Sequence, residues 1–205
     1  MTDNALESLY SLSPDELRER LLGHVGTSTW PPVHEAVAFA EERHAGRMRR
    51  GEVEEPETAH LLRTALILWE VAEQRDANVI AAGVLHDVLE DTDTTLDEVE
   101  DRFGPRVGDL VRALTVPERR EGESAVERNA RYFETLRWEG RDAHVVKSAD
   151  RLDNLRTMAG AFSELGAKAY LEETREKLLP LTLASNTALY HALTAALERA
   201  EAAAG

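Results

Sequence analysis

Two potential ligands stand side by side at His86 and Asp87, in the stretch "GVLHDVLEDTDTT" (residues 83–95), with two more acids, Glu90 and Asp91, one turn on. Val84, Leu85, Val88 and Leu89 are interleaved with them, and residues of that kind belong in a core. A charge carried into a core is costly unless a neighbouring side chain, a metal ion or water compensates it. On one continuous helix His86 and Glu90 share a face, and Asp87 and Asp91 share the adjacent one. Charge runs are usually solvated faces. Acids near a helix C-terminus oppose the macrodipole, however, and a cation is a candidate for what they serve.

A second cluster lies in "VVKSADRLDNLRTM" (residues 145–158). Asp150 follows Val145, Val146 and Ala149 and reads as enclosed, with Asn154 at i+4 on the same face. Asp153 and Arg156 read as the exposed side of that helix. His60 starts another helix, "HLLRTALILWEVAE", and a lone histidine there is more often a cap or a solvated residue than a ligand. Together His60, His86, Asp87 and Asp150 offer two imidazoles and two carboxylates. This mixed N/O set suits Mn²⁺, Fe²⁺, Mg²⁺ or Zn²⁺ and leaves coordination positions for water and substrate. His24, His34, His44, His144 and His191 lack such acidic company and are assigned to structure or surface.

The elements that must position these groups read as helices throughout, with no alternating strand pattern. "SPDELRERLLGHV" has Ser13 as N-cap, Pro14 at the first position and Glu16 closing a capping box. Further helices are expected from "STWPPVHEAVAFAEERHAGR", from "HLLRTALILWEVAE" with a Leu62, Ala65, Leu66 and Trp69 stripe, and from "DANVIAAGVLHDVLED" as one central helix. "TTLDEVEDRFG", capped at Thr94 or Thr95 and closed by Gly104, and "PRVGDLVRALT" follow. "RRGEVEEPETA" and "PERREGESAVERN" read as polar loops, the latter a mobile surface one. The C-terminal segment is helical with an interruption at Pro180. No repeat or linker marks a second domain. The expectation is an all-α, single-domain helical bundle with residues 1–30 as an N-terminal helical extension, 31–195 as the catalytic unit and 196–205 as a frayed tail.

Bulk properties narrow the function. At 205 residues, 42% hydrophobic and 31% charged, the chain can bury one sizeable core and is not of disordered composition. The net charge of −15 repels nucleic-acid backbones, so no nucleic-acid partner is expected. No run approaches the roughly 18 apolar residues of a membrane span, and the N-terminus lacks the blocks of a secretory signal. The absence of cysteine excludes disulfides and thiolate ligands. A cytoplasmic protein acting on a small molecule is the reading these features fit.

His60, the pair His86–Asp87 and Asp150 resemble the H…HD…D signature of the HD-domain metal-dependent phosphohydrolases. More narrowly, "LHDVLEDTDTTLDEVEDRFGPRVGDLVRALT", "VVKSADRLDNLRTM" and "AYLEETREKLLPLT" are similar to the RelA/SpoT hydrolase domain, in its stand-alone small alarmone hydrolase form of the animal Mesh1 type. The resemblance runs from about residue 34 to about residue 185. It implies that His60, His86, Asp87 and Asp150 are metal ligands, with Mn²⁺ as the usual ion, and that Glu90 and Asp91 activate or orient water. It implies that Arg49 and Arg50 contact the nucleotide, with Asn154 and Thr157 at substrate-pocket positions. The implied reaction removes the 3′-pyrophosphate of guanosine tetra- or pentaphosphate, giving GDP or GTP and pyrophosphate.

The chain also departs from that pattern. In "VEEPETAHLL", Pro56 is kept, but Glu57 stands where the family has tyrosine and Leu61 where it has proline. Ser148 and Asp153 replace an apolar and an aromatic or histidine residue. These positions flank the ligands, so they bear on which nucleotide is taken; Glu57 would repel a phosphate if it pointed inward. The competing expectations are hydrolysis of another nucleotide phosphate, such as the 2′-phosphate of NADPH, and a non-catalytic alarmone-binding sensor.

Overall fold

The helices start where the sequence supplies caps. In this computed structural model, which describes residues 2–26, 31–49, 54–157 and 164–204, α1 (Thr2–Leu9) leads into α2 (Pro14–Val25). The Ser13 hydroxyl accepts the Glu16 backbone N–H, and the Glu16 carboxylate accepts the Ser13 N–H in return. α3 (Val33–Arg43) begins directly after the two prolines. α7 (Leu96–Phe103) is capped by Thr95 and closed by Gly104, whose φ of 89° suits a residue without Cβ. The same Gly104 opens α8 (Pro105–Leu114).

Three departures from the expected elements matter. The polar loop before His60 carries a two-residue antiparallel pair, β1 (Met48–Arg49) with β2 (Glu55–Pro56). One further backbone bond follows Pro56, from the Glu57 N–H to the Arg47 carbonyl at 3.1 Å. The expected central helix is two: α5 (Ala77–Leu85), capped by Asp76, and α6 (Val88–Asp91), broken at His86–Asp87. The expected mobile loop ends earlier, because Ser124 and Glu127 form a second capping box that starts α9 (Ala125–Leu136). Arg50 and the residues through 53 lie outside the described residues.

The core is built around α4 (Glu57–Glu70), α5 and α10 (Arg141–Thr157), which pack on one another. Every residue of α4 from Ala59 to Leu68 is buried, not just the expected stripe, and Trp69 of that stripe sits half-buried on the rim. Gly83 lets α5 approach α4 closely: a Cβ there would overlap the Leu68 side chain. α10 also packs against α8, α12 (Leu179–Ser185) and α13 (Thr187–Ala204).

Neither end of the chain is an appendage among the described residues. Leu6, Leu9, Leu17 and Leu21 of α1 and α2 are buried in the same core. The segment expected to fray is helical through Ala204, with Ala196 and Leu197 buried. Pro180 does not interrupt the helix either. α11 (Glu164–Glu173) passes through a π turn (Thr174–Leu178) into α12, and the wider turn accommodates the proline's missing N–H. The chain breaks instead at Asn186, whose side-chain nitrogen donates to the Ala72 carbonyl. The protein is a single-domain all-α bundle, and among the described residues no helix is long and apolar enough to cross a membrane.

Candidate functional site

The break after α5 is what builds the site. Adjacent residues on a straight helix point about 100° apart and cannot meet. Asp87 has ψ near zero (φ −96°, ψ −1°), a turn conformation. It brings the His86 Nε2 and an Asp87 carboxylate oxygen within 3.2 Å of each other. α4 supplies His60, whose Nε2 lies 3.1 Å from the His86 Nε2 and 3.7 Å from Asp87. α10 supplies Asp150, 3.4 Å from His60 and 3.7 Å from His86. Four side chains from three elements thus converge on one point, and His60, expected as a ligand although a histidine at a helix start is more often a cap or solvated, is fully buried there.

The hydrogen bonds behind the imidazoles decide which nitrogens face inward. His60 Nδ1–H donates to the Asp153 carboxylate (2.7 Å), and His86 Nδ1–H donates to the Gly83 carbonyl (2.9 Å). The two Nε2 atoms therefore face each other at 3.1 Å. That contact is repulsive unless a proton or a cation sits between them. Burial disfavours charge on His86, but Asp87 and Asp150 outweigh it and hold its pKa well above the ordinary value. Asp150 is buried yet held well below the usual carboxylate range, chiefly by the Lys147 ammonium 2.7 Å away and then by the imidazoles. Two imidazole nitrogens converging with two ionised carboxylates fit a divalent cation, which would take the place of that proton. His60, His86 and Asp150 are spaced as a ligand set, and Glu57, His60 and Asp87 form a second one.

Asp153 and Arg156 are not the exposed face the sequence suggested. Asp153 is fully buried, bridging His60 and Arg63, whose Nε donates to it at 2.6 Å; Arg63 in turn pairs with Glu55 of β2. Arg156 pairs with Glu7 and lies over the Tyr10 ring, tying α1 to the same corner. Burial pushes the Asp153 carboxyl up, but His60 and Arg63 pull it down to about 2 from an ordinary 3.8. A depressed folded-state pKa means stability that is present above pH 3.8 and lost as pH falls towards 2. The expected loss over that window is about 2 kcal/mol. Urea unfolding at a series of acidic pH values measures it, and Asp153→Asn flattens that part of the curve.

The two acids after the pair diverge, contrary to straight-helix stacking. Glu90 reaches across to accept the Val116 backbone N–H at 2.8 Å. It is solvent-accessible, but the surrounding cavity walls thin its water and raise its pKa above the ordinary value. Asp91 turns the other way and accepts from Arg47 at 2.6 Å; its pKa is also raised, by burial first and then by Asp87. A cavity of about 280 Å³ opens beside the cluster, lined by Arg49, Asp87, Glu90, Lys147, Asp150 and Asn154 among others. Asn154 links the site: its Nδ2 donates to Asp150 at 2.5 Å and its oxygen accepts from Arg49. The Thr157 hydroxyl donates to the Asp153 carbonyl on its own helix, and the residue is not among those lining the cavity.

Residues 36–181 match the HD domain family. The chain belongs to it. Among HD-domain relatives, it is 35% identical over 176 residues to the guanosine-3′,5′-bis(diphosphate) 3′-pyrophosphohydrolase of Aquifex aeolicus, covering 86% of this chain and 24% of that one. It is 36% identical over 133 residues to the MESH1 protein of Drosophila melanogaster, which carries the same enzyme name, covering 64% of this chain and 73% of that one. This HD-domain chain thus spans about a quarter of the length of the Aquifex relative. A solved metazoan ortholog of SpoT, described as hydrolysing ppGpp, superposes with a TM-score of 0.73 at 28% identity, over 84% of this chain and 98% of that one.

Several residues of this HD-domain site escaped the sequence reading. Lys147 stands one turn before Asp150, a spacing that was visible but unassigned. Arg47 precedes the basic pair that drew attention. Arg128 and Tyr170 come to the cavity wall from distant helices, which no local pattern signals.

Proposed function

We propose that the protein is a metal-dependent hydrolase that removes the 3′-pyrophosphate of guanosine tetra- and pentaphosphate, giving GDP or GTP and pyrophosphate. The observation that carries this reading is the facing pair of imidazole Nε2 nitrogens, flanked by Asp87 and Asp150 at the wall of a cavity that also holds Arg49 and Lys147. The names of the Aquifex and Drosophila relatives support the substrate.

In this reading His60, His86, Asp87 and Asp150 hold Mn²⁺, a choice that suits their mixed nitrogen and oxygen donors. A divalent ion held there lowers the pKa of water and draws negative charge from a phosphate. Glu90 accepts the proton of the attacking water, with its second oxygen anchored by Val116. Asp91, fixed by Arg47, orients that water. The water oxygen bonds to the phosphorus next to the ribose 3′ oxygen, that P–O bond breaks, and the ribose oxygen leaves as a hydroxyl with a solvent proton. Arg49 and Asn154 receive the nucleotide, and Arg50 and Thr157 are assigned to the same task from the family pattern. Lys147 and Arg49 offset phosphate charge within a chain of net charge −15. The cavity takes a small molecule, and its cations are too few to grip a nucleic-acid backbone against that field. We place the activity in the cytoplasm.

Purified full chain with Mn²⁺ and guanosine tetraphosphate is expected to release pyrophosphate and GDP in equal amounts. Phosphate release from NADPH with no pyrophosphate from the alarmone would replace the substrate. Alarmone binding without turnover of any nucleotide would make the protein a sensor.

A further inference from the structure

Glu57 opens α4 where the family carries tyrosine, and a first-turn glutamate usually points into solvent, favoured by the helix dipole. Here its side chain is only 12% exposed. One of its carboxylate oxygens, a His60 nitrogen and an Asp87 oxygen all lie within 4.8 Å of one another. Donors bound at metal–ligand distances of roughly 2.0–2.2 Å sit about 3 Å apart when adjacent and a little over 4 Å apart when opposite. A small inward swing of a flexible glutamate brings this set into that range.

The carboxylate is also poorly satisfied. Its nearest opposite charge is the Arg49 Nη1 at 3.4 Å, and that nitrogen is itself buried without a hydrogen-bond partner among the described residues. Arg49 donates through its other terminal nitrogen to Asn154 instead. Burial pushes the Glu57 carboxyl up, against the pull of Arg49 and His60. A carboxylate so enclosed, with charge beside it but no donor upon it among the described residues, is costly unless a cation binds it.

We propose that Glu57 is an additional ligand of the metal centre, binding the same ion as His60 and Asp87. The proposal rests on those two residues being ligands, as in the function above. Three carboxylates then overbalance a divalent charge by one, which tightens binding of the ion. It also resolves the electrostatic conflict of a buried glutamate beside Arg49 and Asp87, which line the cavity. With Glu57 on the ion, the Arg49 nitrogen that lacks a partner is left for a phosphate oxygen.

The test is Mn²⁺ titration of the metal-free full chain by calorimetry, with Co²⁺ visible absorption as a readout of coordination number. Glu57→Gln, close in shape, is expected to weaken Mn²⁺ binding by at least roughly tenfold, since losing even an outer contact of a metal site costs that much. Its Co²⁺ band should intensify as the coordination number drops. Glu57→Asp should recover part of the affinity. Should Glu57→Gln not fold, Glu57→Tyr, the family residue, gives the same reading. Affinity and spectrum unchanged in the folded variant, while Asp87→Ala binds no metal, would overturn the role of Glu57 and leave the metal site standing. Two ions per chain would overturn a shared ion. No uptake by the unsubstituted protein would overturn the metal site and this proposal together.

Discussion

Asp87→Ala is expected to fold normally and to carry no stoichiometric metal, with turnover lowered on the order of 10³-fold or more. The magnitude follows from losing a bound ion whose electrostatic contribution to a phosphate reaction is several kcal/mol. Folding should survive because Asp87 makes no side-chain cap for α6 and is partly open to solvent. Its carboxylate faces the ligand cluster and the cavity, lying 3.2 Å from His86 and 3.7 Å from His60. Removing it also removes the main attraction that keeps a proton on His86 in the metal-free protein. Elemental analysis beside thermal unfolding checks this. A folded variant that retains its metal would show that the ion is held without Asp87.

Glu90→Gln separates water activation from metal binding. Glu90 projects away from the ligand cluster towards Val116, and a glutamine keeps an oxygen for that backbone N–H. Metal content should therefore match the unsubstituted protein while kcat falls by roughly 10²–10⁴, the usual contribution of a general base. The pH profile carries the sign. A base works only when deprotonated, so activity falls as pH drops through the Glu90 pKa. The cavity walls that thin its water raise that pKa above the ordinary 4.5, which moves the acid limb towards neutrality. The limb should vanish in Glu90→Gln. A metal-loaded, fully active variant with an unchanged acid limb would assign the proton to another group, with Asp91 the nearest candidate in sequence.

Local chemistry made much of this protein legible from its sequence. The capping box at Ser13 and Glu16, the prolines before α3 and the glycine after α7 act within a few residues, and each element began or ended where its cap stood. The pairing of His86 with Asp87, and the enclosure of Asp150 by apolar neighbours, were likewise visible as short patterns. Where the sequence reading went astray over the second cluster, the cause was long-range. Asp153 and Arg156 carry charges at spacings that suit a surface helix, and nothing nearby announces that His60, Arg63, Glu7 and Tyr10 will cover them. Ser124 and Glu127 form a capping box that the charged residues around them masked. Pro180 reads as a break unless a π turn takes up its missing hydrogen bond.

By itself the sequence determined an all-α chain, a set of two histidines and two aspartates, and the chemistry such donors share, because residue type and helical period are properties of short segments. Only the tertiary structure decided that these donors meet. α4, α5 and α10 pack on one another, Gly83 brings two of them close, and the break at His86–Asp87 turns neighbouring side chains to one point. It also decided the direction of Glu57, which the sequence left as either solvent-facing or a barrier to phosphate. Such decisions depend on which distant surfaces bury one another, a cooperative property of the whole core that no stretch of sequence carries alone.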